Sequence, residues 1–100
     1  MTHSPKQAKA LVQRIDDADD GADFMSYEQE KALKLEILAL TDPARIQQLK
    51  DRLDAEWEKV HWVRETSDDH DLAYLIAKFG GVEYAVREAR RRTKLMDGCY

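Results

Sequence analysis

Two prolines and four glycines punctuate the 100-residue chain, and Pro5, Gly21, Pro43 and the pair Gly80-Gly81 each stand where one helical pattern stops or the next begins. Proline and glycine are the residues that disfavour helix interiors. The long intervals between them are therefore free to be helical, and periodicity fills them. Ser4-Pro5 reads as an N-cap followed by proline at the first helical position. Ala8, Leu11, Val12 and Ile15 follow on one stripe, which predicts a first helix over about 5–18. Ser26, with Gln29 three residues on, has the capping-box pattern that opens a second helix. Asp42-Pro43 opens a third, whose stripe Ile46, Leu49, Leu53, Trp57 and Val60 advances by three or four. Ser67 or Asp68 caps a fourth, carrying Leu72, Leu75, Ile76 and Phe79, and Gly80-Gly81 stops it. A fifth starts near Val82 and stacks Val82, Ala85, Val86, Ala89 and Met96.

The second helix differs from the others. Ala32, Leu33, Leu35, Ile37, Leu38, Ala39 and Leu40 occupy nearly its whole circumference. A helix apolar on most sides is central, or it lies in an oligomer interface. The stretch Leu33 to Ile37 also alternates with period two, as a strand would, but strong helix formers and the capping box favour a helix. The expected architecture is all-α: one domain over residues 1–100, a compact bundle of about five helices with helix two central. At 43% apolar and 36% charged residues the composition is globular rather than disordered. Cys99 is the lone cysteine, so no intramolecular disulfide forms. No apolar run approaches the ~20 residues of a membrane span, and the N-terminus lacks a signal-peptide core. A soluble, cytoplasmic protein is expected.

Charge is distributed unevenly. From Asp16 to Glu30 there are seven acids (Asp16, Asp17, Asp19, Asp20, Asp23, Glu28, Glu30) and no base, whereas Arg87 to Lys94 holds five bases against one acid. The net charge of −4 argues against general nucleic-acid affinity while leaving room for a local basic face. The acidic run is not a calcium loop. With Gly21 in the glycine slot, the third position is Ala18, the apolar eighth is Asp23, and the twelfth is Tyr27 where glutamate is required. Its acids sit at the C-terminal end of helix one, where the macrodipole disfavours them by about 0.3–1 kcal/mol each. A frayed, solvated helix end is one reading; a docking face for a basic partner surface is the other.

On the fifth helix Arg87, Arg90, Arg91 and Lys94 share one side, with Tyr84 beside them. That face could follow a phosphate backbone, meet an acidic protein, or pair with the acidic run within the molecule or between protomers. Bases near a helix C-terminus also simply complement the dipole. A helix-turn-helix can be laid over Phe79 to Ala89, with Val86 and Ala89 buried and Arg87, Arg90 and Arg91 outward. Trp57, on the third stripe, is expected in the core. Trp62 falls nearly opposite that stripe and is expected to be covered near the helix end; exposed, it would be a binding anchor.

Catalysis needs a base, a nucleophile and a pocket that converge. Ser4, Ser26, Ser67 and Cys99 have no recognisable helper, and His3, His61 and His70 lack a second histidine or a cysteine at ligand spacing. Asp68-Asp69-His70-Asp71 reads as capping and solvation. No enzyme, cofactor or metal is expected. In size, acidity, helicity and lack of catalytic motifs the chain resembles anti-CRISPR and other phage-encoded inhibitor proteins. The resemblance implies a CRISPR effector as partner, with acids blocking a groove that normally holds nucleic acid. The expected function is a protein-binding regulator or inhibitor using Asp16, Asp17, Asp19, Asp20 and Asp23, with Trp62, Tyr84, Arg87, Arg90, Arg91 and Lys94 as secondary contacts. The alternatives are a DNA-binding protein that uses the basic helix, and a structural subunit that oligomerises through helix two.

Overall fold

Six α-helices form among residues 4–19, 21 and 25–97, which the computed structural model describes: α1 (Pro5–Asp19), α2 (Tyr27–Ala39), α3 (Pro43–Ala55), α4 (Trp57–Thr66), α5 (Asp69–Phe79) and α6 (Val82–Asp97). Their termini follow the local signals. The Ser26 hydroxyl accepts from the Gln29 N–H, and the Gln29 side chain accepts from the Ser26 N–H, completing the capping box of α2. Asp42 accepts from the Ala44 N–H ahead of Pro43. At the start of α5, the Asp71 carboxylate accepts from the Asp68 N–H. Gly80 ends α5 at φ +87°, a left-handed conformation that glycine adopts without a Cβ penalty.

One core joins all six helices. Ala8, Val12 and Ile15 of α1 and Leu33 and Ile37 of α2 meet Leu72 to Ile76 of α5. Ile46, Leu49 and Leu53 of α3, Val60 and Val63 of α4, and Ala85, Val86 and Ala89 of α6 complete it. Helix α5 packs against α1, α2, α3 and α6, while α4 packs against α3 and α6. The molecule is thus two groups, α1/α2 and α3/α4/α6, assembled on α5.

Five expectations are corrected. Helix two is not central: it packs against α1 and α5 alone, buries only Leu33 and Ile37, and leaves Leu35 46% exposed. The central element is α5, buried from His70 through Ile76 except at Asp71. The fold has six helices because the long third pattern is broken. The chain leaves helical geometry at Glu56 (φ −112°, ψ 27°) and again at Val60 (φ −135°, ψ 16°). Beyond the break α4 packs on α6, with Val60 and Val63 of the one helix and Ala85 and Ala89 of the other all buried. Trp57 leaves the stripe and is 43% exposed, and Trp62 is 40% exposed rather than covered. Met96, assigned to the buried stripe of the last helix, is exposed as well.

Candidate functional site

The acidic and basic segments end up in different states. At the C-terminal end of α1, Asp16 does not face solvent as a docking residue would. Its Oδ1 accepts from the Tyr74 hydroxyl at 2.6 Å and from Lys78 Nζ at 3.2 Å, tying α1 to the central helix. The nearly buried Tyr74 ring lies beneath Lys34 and Lys78, whose Nζ atoms stand 5.0 and 5.5 Å from its centroid. Burial raises the ionisation of the Tyr74 phenol above its ordinary value, and the hydrogen bond to the Asp16 carboxylate raises it further. A raised folded-state value means that this stabilisation is complete below about pH 10, where an unfolded tyrosine ionises, and is lost above it. Tyr74→Phe should therefore flatten the fall in stability between pH 10 and pH 11 by about 1 kcal/mol, read from urea melts at the two values.

Of its neighbours, Asp17 and Asp19 make no ion pair among the described residues. Asp17 is exposed and accepts only from Gln13 Nε2. Asp19, with Glu28 and Glu30 in the first turn of α2, has no ion pair among the described residues. Asp19 and Glu30 line a polar cleft of about 320 Å³ with Lys34, Ser67, Asp71 and Arg92. Asp20 and Asp23 lie outside the described residues, as do His3 and Cys99.

The basic helix is largely neutralised from within. Arg90 reaches Glu56 with both Nε and Nη2. Arg91 and Arg92 both donate to Glu88, at 2.5–3.0 Å and 3.1 Å. The Arg52 guanidinium bridges Glu83 at 2.5 Å and Glu56 at 3.3 Å. Hydrogen bonds from Arg90 hold the Glu56 carboxyl below its ordinary range, and those from Arg91 do the same for the buried Glu88. The arginine face thus pairs with Glu56 and Glu88 and, among the described residues, not with the acidic run. Of the cations named from sequence, Arg87 and Lys94 make no ion pair among the described residues; alongside Arg52, Arg87 helps to hold the Glu83 carboxyl down from its ordinary value, and it sits 5.4 Å from the exposed Tyr84 ring. Val86 and Ala89 are buried as a helix-turn-helix requires, but Arg90, although open to solvent, is held by Glu56.

Asp68, His70 and Asp71 bring donor atoms within 4.8 Å of one another. Both Asp71 oxygens are already engaged, Oδ1 by Lys34 and Oδ2 by the Asp68 N–H, so the cluster serves as a cap and a strut. Sequence reasoning missed Tyr74, Lys78, Glu56 and Arg92. The pairing of Glu88 with Arg91 and Arg92 was available from its i+3 and i+4 spacing. That of Glu56 with Arg90, and of Asp16 with Tyr74, carries no local signal. No helix among the described residues is long and apolar enough to cross a membrane. Comparison with protein-family models, curated proteins and solved structures finds no match to this chain.

Proposed function

We propose that the chain is a non-catalytic protein-binding inhibitor that occludes a basic surface of its partner, with the acidic end of the α1/α2 pair as the contact. The observation that carries this reading is the difference in neutralisation. Asp17, Asp19, Glu28 and Glu30 keep their charge unpaired, whereas Arg90, Arg91 and Arg92 are engaged by Glu56 and Glu88. Unpaired carboxylates steer a protein toward cationic surfaces and stand where phosphates would in a nucleic-acid groove. A CRISPR effector is one partner of that chemistry, in keeping with the resemblance in size and charge to anti-CRISPR proteins. Asp16 has a different role here: it holds the acidic end onto α5 through Tyr74 and Lys78.

The second reading, DNA binding by α6, rests on Arg87, Lys94 and Tyr84, which stay exposed. Capture from a native-host extract, followed by mobility shift with duplex DNA, separates the two. The inhibitor reading expects a retained nucleic-acid-binding protein, loss of that protein on Asp17→Lys/Asp19→Lys, and no DNA shift. A salt-sensitive DNA shift abolished by Arg87→Ala/Lys94→Ala, with the aspartate variant unaffected, overturns it.

A further inference from the structure

A second concavity, remote in composition from the acidic end, lies where the start of α1, the α2–α3 connection and the end of α5 meet. It has a volume of about 460 Å³, within the range of small-molecule sites. Leu40, Ile76 and Ala77 supply apolar lining, and Lys9, Arg45 and Asp42 supply charge. Four helix termini converge there, since α1 and α3 begin beside it and α2 and α5 end beside it. Two positive and two negative dipole ends largely cancel, which leaves the side chains to set the local field. One oxygen of Asp42 is bound by the Ala44 N–H that it caps. Lys9 and Arg45 are exposed and have no carboxylate partner among the described residues. The Thr41 hydroxyl is already satisfied, donating to the Ile37 carbonyl at 2.7 Å. The groove therefore offers an apolar lining and two cations against the single Asp42 carboxylate, an excess of one positive charge.

We propose that this groove binds a small monoanionic amphiphile, with its aliphatic part against Leu40, Ile76 and Ala77 and its carboxylate facing Lys9 and Arg45. An uncharged apolar ligand would gain the lining but leave both cations without a partner. A cation would meet like charge, which costs about 1 kcal/mol per exposed contact. The site is independent of the acidic end, so it stands or falls separately from the inhibitor reading.

The test is an amide NMR titration of the full chain with decanoate below its micelle-forming concentration, against decyltrimethylammonium as the headgroup control. The expected result is a saturable shift concentrated on Thr41, Ala77, Gly80 and their neighbours with decanoate. With the cation of equal chain length the effect should be about tenfold weaker or absent. Lys9→Glu/Arg45→Glu should weaken decanoate by about tenfold or more while leaving the circular-dichroism spectrum unchanged. Non-saturating shifts, shifts spread over all six helices, or equal binding of the two headgroups would overturn the proposal. The headgroup comparison uses the unaltered chain, so it decides the matter even where the double variant fails to fold.

Discussion

Leu53→Ala is expected to lower the unfolding free energy by about 2–5 kcal/mol, the range for deleting a fully buried leucine side chain. Leu53 has no exposed surface and lies on the face of α3 that meets α5 and α6. Leu49 on the same helix, and Val60, Val86 and Ala89 in the same core, are themselves fully enclosed. A domain of this size is stable by about 5–15 kcal/mol, so the variant should unfold at much lower urea concentration with an unchanged slope. Leu35→Ala is the matched control. Leu35 belongs to a helix whose apolar residues run around most of its circumference, yet it is half exposed, and its loss should shift stability by no more than about 0.5 kcal/mol. Equal effects at the two positions would contradict the placement of α2 at the periphery.

Glu56→Lys should cost about 2 kcal/mol, because it replaces the carboxylate on which two arginines converge with a third cation. The Glu56 side chain is only 15% exposed, although Arg52 and Arg90 are much more open to solvent, which tempers the loss. The same residue marks the break between α3 and α4, so the substitution loosens the junction with α6 as well as the pair. Combining Glu56→Lys with Arg90→Glu should recover part of the loss, and a double variant no better than the single one would refute a charge-pair origin. The pH dependence follows from the sign of the shift. The folded-state values of Glu56 and Glu88 are lowered, so their stabilisation is fully present above the ordinary glutamate range near pH 4.5 and disappears as pH falls through the folded values. The Glu56→Lys protein should show a shallower loss of stability between pH 5 and pH 3.

The helix boundaries were legible because their causes are local. Ser26 with Gln29, Asp42 with Pro43, and Gly80 act over four residues or fewer, and the observed ends of α2, α3 and α5 agree with them. The buried stripes of α1 and α6 were legible for the same reason, apart from the exposed Met96 and the partly buried Leu11 and Val82. The interior of the third pattern was not. Nothing near Glu56 breaks a helix by propensity, and the break is held by Arg90 of α6 and by the burial of Val60 and Val63. The candidate site was half legible: the acids could be named, but their division into free and engaged groups could not. Asp16 and Asp17 are neighbours of the same type. The helix turns one toward Tyr74 and Lys78 and the other toward solvent, and only the position of α5, more than fifty residues away, distinguishes them.

An all-helical chain with its stops, its buried stripes and two poles of charge follows from residue order, since those properties depend on backbone preferences and on spacings of three and four. Which helix is central, where the long third helix breaks, and which charges stay free depend on contacts between residues 30 to 60 apart. Such contacts form only when six amphipathic surfaces share one core. That is why α2, apolar around most of its circumference, lies at the edge, and why Arg90, which looked free, is engaged by Glu56.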